Sequence, residues 1–511
     1  CSTCHGKDRI GLTAPPLIPQ FLKGKSEDYL FRVVKNGIPA SQMPAFPNLS
    51  DTEIKAIITY IKTPVKVKYT FEDIKKSFTR KNYEIKNLKN LTVAVDKIGK
   101  ILILEGANVL DTFKFKNVHG GVKFSIKNHK FYVPARDGWI ISYDFKEKRP
   151  FSKVRACVYL RNITLTPDEN YLIAGCVLPE SIVILDASLK PVKRINVAGR
   201  ISAVYQLSRY NVVLVAYRDR AYLGFLKGGN LREKKIDIPL EDFFIDPFEN
   251  FVVGTSRKEN KLVVYRLSDT KKVFSSNLKS MPHLFSASFW YRYGDFYFAT
   301  RHVDGSLSIW KMYNWKKVKE IKTGFKGFFV RTNYKNSYLW LDSFSNVLGL
   351  LNKKSLKLEE KKTKYEKITH VEFSGDGKLA YLSVLGKNSG IYVLDAYSLR
   401  EVKRIPAKHP VGKYNILLKT RKFYPALLGY EVFMEKCWGC HHITREAFGP
   451  PLKSVAEKRP ISLIMAQIVN PQRTYKILGY KRNAMPRINL NPYELEALKA
   501  FIEGVKNGWI D

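Results

Sequence analysis

Between about residue 90 and residue 415 the apolar residues come in short alternating runs rich in Val, Ile, Tyr and Phe, the mark of half-buried strands. One phrase recurs there: a strand, a polar turn, then a second strand heavy in Lys and Val. It begins at Ile101 (ILILEGANVLDTFKF), Ile140, Ile182, Ala221, Leu262, Leu307, Val347 and Ile391 (IYVLDAYSLREVKRI). Successive starts lie 39, 42, 39, 41, 45, 40 and 44 residues apart. A period near 40–45 with several strands per unit predicts a β-propeller, and eight copies predict eight blades. The stretch HPVGKYNILLK from His409 is expected to help close the ring.

The same period selects residues. Equivalent positions in successive blades sit at one height, and the next inner strand should begin 18–26 residues after each phrase start. His119, Arg161, Arg200, His283, Arg331 with Asn333, and His370 fall there. Several imidazoles and guanidinium groups converging from different blades are hard to explain as packing, because a buried cation needs a partner. An anionic, iron-containing macrocycle fits them: imidazole ligates metal and guanidinium pairs with carboxylates. His129, in a turn, and His409, before a proline, read as structural, and His302 could belong to either class.

Outside this stretch the apolar spacing is helical, and the chemistry changes with it. CSTCH (Cys1–His5) and CWGCH (Cys437–His441) carry two thiols, two spacers and a histidine, the attachment pattern of covalent haem c. Cys1, Cys4 and His5 pair with Met43, and Cys437, Cys440 and His441 with Met485, as thioether and axial ligands. Each methionine is followed by proline, a short loop, a cap-like Ser or Asn and a helix with an early Glu. A Pro-Pro pair follows each haem motif, in APPL and GPPL. Met434 and Met465, inside apolar helical stretches, read as core, and His442 as a surface residue. The helix that normally precedes CxxCH is missing ahead of Cys1. The chain is therefore expected to begin inside its first cytochrome domain, any export signal lying beyond it. The remaining cysteines, Cys157 and Cys176, sit in apolar strand-like runs and are expected to be buried free thiols, with a disulfide between them as the alternative.

The organisation is thus multidomain: an all-α cytochrome c domain (1–64), a linker (65–84), an all-β eight-bladed propeller (85–420) and a second all-α cytochrome c domain (425–511). The 511 residues carry 87 basic and 46 acidic side chains, a net charge of +41. The cations are spread along the chain with no Arg-rich arm, which argues against nucleic acid and for anionic ligands or acidic electron-transfer partners. No run approaches the roughly 18 apolar residues of a transmembrane helix.

The two ends resemble class I c-type cytochromes, and residues 1 to about 418 resemble the cytochrome cd1 nitrite reductase family. VHGGVKFS with ARDGW resembles the family stretch carrying the proximal haem d1 histidine, here His119, with Arg136 on the RDG turn. LRNIT and GRISAVYQLS place Arg161 and Arg200 near the haem d1 carboxylates, SMPHLFSA puts His283 on a distal histidine, and HPVGKYNI resembles the closing strand. The second distal histidine is expected within RTNYKNSYLWLD, where this chain has Asn333. Asparagine cannot supply a proton, and reduction of nitrite to nitric oxide consumes two; losing one donor should cost on the order of a hundredfold or more. THVEFSGDGKLAYLS, with His370, is similar instead to the dihydro-haem d1 dehydrogenases of haem d1 biogenesis.

The resemblance implies two covalent haem c groups and one non-covalent haem d1, or dihydro-haem d1 as substrate. His119 would hold the iron, Arg136, Arg161 and Arg200 the carboxylates, and His283, His370 and Asn333 would line the reacting side. It further implies a periplasmic oxidoreductase of denitrification that passes electrons to small redox proteins such as acidic c-type cytochromes. Nitrite reduction and non-catalytic haem d1 carriage are the alternatives, a cofactor-free interaction platform is the bland one, and a homodimer is one option for assembly.

Overall fold

The computed structural model describes residues 1–39, 41–80, 88–147 and 149–510. Among the described residues, seven four-stranded antiparallel sheets and one five-stranded sheet form the eight blades of a propeller. Each recurring phrase is the outer hairpin of a blade: Ile101, for example, lies in strand Lys100–Glu105, which pairs with Asn108–Lys114. The outermost strands are polar and exposed, as in Asn230–Lys235, while the middle strands are buried on both faces. That burial gradient explains why Lys collects in the second half of each phrase. The ring closes where strand Pro410–Asn415 pairs with Leu91–Asp96, completing the sheet of the first recurring phrase.

The stretch expected as a linker carries structure. Helix Phe71–Lys76 is held by a capping box between Thr70 and Asp73, and strand Thr79–Arg80 joins the edge of the next blade, opposite Lys153 and Ser152. The expected boundary at 84/85 lies outside the described residues.

Cys157 and Cys176 correct the free-thiol expectation, for they form a disulfide with Cα atoms 6.1 Å apart, within the usual range for such a bond. Cys157 stands just ahead of inner strand Tyr159–Leu165, and Cys176 lies on its hydrogen-bonded neighbour at a register shift. Pairing across two strands brings the sulfurs together, and apolar composition alone does not reveal it.

Both terminal segments are helical. Helices Asp51–Ile61 and Pro492–Lys506 each start with a full capping box, Ser50 with Glu53 and Asn491 with Glu494, at the positions the sequence predicts. Met434 and Met465 pack against the C-terminal core. The N-terminal domain meets the propeller where the inner strands begin. There Phe21 packs edge-on to Tyr159 at 6.4 Å, and the Arg200 guanidinium covers Phe21.

The C-terminal domain sits where the inner strands end and is bonded firmly in place. Glu431 accepts from the Tyr291 amide (2.7 Å) and pairs with Lys353 (2.5 Å), and the Tyr291 hydroxyl donates to Glu494. Tyr313 and Tyr493 stack at 3.6 Å. One apolar cluster runs unbroken from the middle blades into helices Tyr424–Lys436 and Pro492–Lys506.

Candidate functional site

The two haem motifs are built alike. His5 Nδ1 donates to the Pro15 carbonyl at 2.7 Å, and His441 Nδ1 donates to the Pro450 carbonyl at 3.1 Å. Each acceptor is the first proline of the repeated Pro-Pro pair, so that repeat orients the histidine. Fixing Nδ1 in this way selects the tautomer whose Nε2 faces a metal. Burial holds the His5 imidazole below its ordinary pKa, which keeps the ligating neutral form. The four motif cysteines are free. Met485 is steered by Asn483, whose side chain bonds both its amide and its carbonyl, and Met43 by the Ser41 hydroxyl on its amide. The donors therefore suit covalent haem c at both ends.

Gly449 is the tight point of the second motif: a Cβ there would lie 2.3 Å from Cε1 of His441. Gly449→Ala should turn that ring and disturb one haem only. In a redox titration of the haem-loaded protein, one of two c-haem waves should shift or vanish while the other stays unchanged. Two unchanged waves would show that the loop yields.

In the propeller, the residues singled out by the repeat separate into those that meet and those that do not. His119 is half-buried, and its Nε2 accepts from Arg136 Nη2 at 2.9 Å. Arg136 also donates to the carbonyls of Leu160 and Arg161 and lies over Tyr159, while Arg161 donates to the Ser202 carbonyl at 2.6 Å. His283 donates from Nδ1 to Asp242 at 2.8 Å. His370 stacks on Phe329 at 4.1 Å, and the same phenyl ring meets His283 edge-on at 5.7 Å. His119, Arg136, Arg161, His283 and His370 thus gather at the channel end where the inner strands begin.

Arg200 and Asn333 do not join them. Arg200 spends its guanidinium on Asp219 (2.9 Å) and on Phe21 of the N-terminal domain, so it is a docking residue. Asn333 is 1% exposed and fully engaged: its NH2 donates to the Ser374 carbonyl and its oxygen accepts from the Lys335 amide. It lies two residues past the short inner strand Val330–Arg331, whereas His283 precedes its strand. The Asn333 expectation is therefore corrected; the ring beside His283 is Phe329, and the second imidazole of the pocket is His370. His302 proves structural, bonding the Ser280 carbonyl and the Ser308 hydroxyl with its two nitrogens.

Sequence reasoning missed three cations of this cluster. Lys97 lies within electrostatic reach of His119, of His370 and of Cys4 of the first haem motif. Arg218 is half-buried, with a buried Nε, and lies within electrostatic reach of Arg161. Lys413, 3% exposed, donates to the His370 carbonyl (3.0 Å) and to Ser383 (2.6 Å). HPVGKYNI contained Lys413, but a lysine on a closing strand looks like a surface residue until the ring is built.

Burial and the surrounding cations push the His119 and His370 imidazoles well below their ordinary pKa, Arg161 down to about 10 and Lys413 to about 7. His119 Nδ1, His370 Nδ1, Arg136 Nε, Arg218 Nε and the Ser202 hydroxyl are buried with no partner among the described residues. Unpaired buried donors and excess positive charge are costly, and both are relieved by a ligand bearing several carboxylates and a metal. The channel mouth therefore fits haem d1.

Comparison with known proteins agrees. The family model for the cytochrome D1 heme domain matches residues 85–419. Residues 1–61 match cytochrome C oxidase, cbb3-type, subunit III, and residues 426–506 match cytochrome c. The chain is 32% identical over 451 residues to the dihydro-heme d1 dehydrogenase of Pseudomonas aeruginosa, covering 81% of this chain and 92% of that protein. The solved structure of dihydro-heme d1 dehydrogenase NirN in complex with DHE is similar at a TM-score of 0.68 and 31% identity, over 81% of this chain and 97% of that one. A cytochrome c region stands at each end of this propeller, and the chain belongs to the cytochrome d1 haem-domain family.

Proposed function

We propose that the protein is a periplasmic dihydro-haem d1 dehydrogenase, carrying two covalent c haems and taking dihydro-haem d1 as substrate in the propeller channel. The observation that carries this reading is the buried set of unpaired imidazole and guanidinium atoms at the channel mouth. Similarity to the Pseudomonas enzyme supports it. His119 would hold the substrate's metal side through the Nε2 that Arg136 occupies here, Arg136 turning with Arg161 and Arg218 to its carboxylates; Arg218 takes the place first expected of Arg200. His370 is kept neutral by burial and is ready to accept a proton. Asp242 fixes the His283 tautomer and aims its Nε2 away from the carboxylate. Bound c haem supplies a one-electron acceptor. The N-terminal motif, near Lys97 and Arg136, is the nearer port, and an acidic c-type cytochrome is the external acceptor favoured by the +41 charge.

Mixing the haem c-loaded, oxidised protein with dihydro-haem d1 under anaerobic conditions should give the green haem d1 spectrum together with reduced c-haem bands. No spectral conversion would overturn the reading.

A second reading, nitrite reduction, is favoured by one observation. With Asn333 outside the pocket, the acid pair is not truncated, because His283 and His370 flank Phe329. It requires steady nitric oxide formation from nitrite by the haem d1-loaded protein.

A further inference from the structure

Oxidising dihydro-haem d1 releases two electrons and two protons, and the chain must dispose of the protons from a buried pocket. Below the pocket lies a second cluster that the reading above does not use. On strand Lys367–Phe373, His370 and Glu372 are two residues apart and so share a face. Glu372 is 2% exposed; its carboxylate lies 2.5 Å from Lys419 Nζ and 3.8 Å from Arg331 Nε. Lys413 Nζ is pinned beside His370 by that residue's carbonyl, on the adjoining closing strand, and lies within electrostatic reach of Glu372.

Lys419, in the short helix Ile416–Lys419 that follows the closing strand, lines a cleft of about 90 Å³ beneath the propeller, room for several water molecules. Arg331, Thr332, Tyr424, Glu372 and Glu431 line the same cleft, against the C-terminal domain.

Charge in this cluster does not balance. Lys413, Lys419 and Arg331 face one another and Glu372, with Asp342 beyond. Asp342 is fully buried, its carboxyl is raised to about 7, and it bonds the amides of Phe328 and Phe329. Burial with like charges holds Lys413 near 7 and Lys419 near 8, so at neutral pH these amines can exchange protons, which ordinary lysines do not. The charged groups facing His370 are Lys413, Arg331, Lys97 and His283.

We propose that Lys413, Glu372 and Lys419 form a proton exit that carries the proton accepted by His370 to the cleft between the propeller and the C-terminal domain. This rests on the dehydrogenase reading. In balance, dihydro-haem d1 loses two C–H hydrogens as two protons and two electrons, and a carbon–carbon double bond forms. The electrons reduce two equivalents of ferric c-type haem. One proton passes from His370 to the neutral amine of Lys413 and on to the Glu372 carboxylate, while Lys419 releases its own proton to water in the cleft and is reprotonated from Glu372. The other is taken by His283, whose Nδ1 is held by Asp242 and whose side chain is 32% exposed, and leaves at the channel mouth. Every member of the path returns to its starting state.

The test is stopped-flow mixing of oxidised, haem c-loaded protein with dihydro-haem d1 in weak buffer containing a pH-indicator dye. c-Haem reduction, proton appearance and substrate binding are followed separately. In the wild type, protons should appear in step with haem reduction. Glu372→Gln should bind substrate with unchanged affinity, yet one of the two protons should appear at least about tenfold late with an enlarged solvent isotope effect; Glu372→Asp should recover most of the rate. Lys419→Met, which leaves Glu372 paired with Arg331, should show the same lag and guards against a folding defect in the first variant. Proton release in step with haem reduction in both variants would overturn the relay, as would a defect confined to binding or melting temperature. Failure of the wild type to convert the substrate would instead remove the dehydrogenase reading and the relay with it.

Discussion

Replacing His370 by alanine should lower the single-turnover conversion of dihydro-haem d1 by about 10²–10⁴-fold, the usual contribution of a positioned proton acceptor. Substrate affinity should change little, because His119, Arg136 and Arg161 reach the pocket from other blades. The pH dependence has a definite sign. An acceptor must be unprotonated, and burial and neighbouring cations hold the His370 pKa well below 6.5. The wild-type rate should therefore stay level as pH falls through 6.5 and decline only in more acidic solution. Rapid-mixing spectra at several pH values check both statements. A variant that converts substrate at the wild-type rate would transfer the proton-accepting role to His283 with its Asp242 partner.

The second large effect concerns Arg161. It is half-buried, lies over Phe285 and has its Nε on the Ser202 carbonyl, leaving the remaining N–H groups for a carboxylate. Hydrogen bonds to charged groups contribute about 1.5–3 kcal/mol, so Arg161→Ala should weaken haem d1 binding about 10- to 100-fold. Arg161→Lys should recover only part of this, because an ammonium cannot offer the planar fork that grips a carboxylate. Arg200→Ala should leave haem d1 affinity unchanged and loosen the N-terminal domain instead. Equilibrium titration of the haem d1-free protein separates the two arginines. Equal losses for Arg161 and Arg200 would return Arg200 to the pocket.

The contrast between these arginines marks how far sequence reasoning carried. Blade number was legible because each outer hairpin is a local object, with its own alternation and turn, and counting needs no tertiary knowledge. The haem motifs were legible for the same reason, down to the capping boxes at Ser50 and Asn491. Inner-strand entrances were less so, since loop lengths vary between blades. A shift of a few residues sent Asn333 to the exit of its strand while His283 stayed at the entrance. Arg200 has the right phase yet faces a domain that the repeat does not describe. The Cys157–Cys176 bond depends on the register of two paired strands, and the channel cations Arg218 and Lys413 and the seating of the C-terminal domain depend on partners far away in the chain.

The closing strand bears on how the molecule is made and unmade. Asn415 donates to the carbonyl of Leu91 and the hydroxyl of Thr92 across 324 and 323 residues, so the seam of the ring is its most non-local contact. Contacts of such separation are slow to form, and until the seam shuts, the edge of Leu91–Asp96 is open to pairing with other chains. Synthesis delivers the closing strand just before the C-terminal domain, which then fastens across the middle blades. That late domain thus doubles as a latch, and its contacts with the blades are expected to slow the opening of the folded ring.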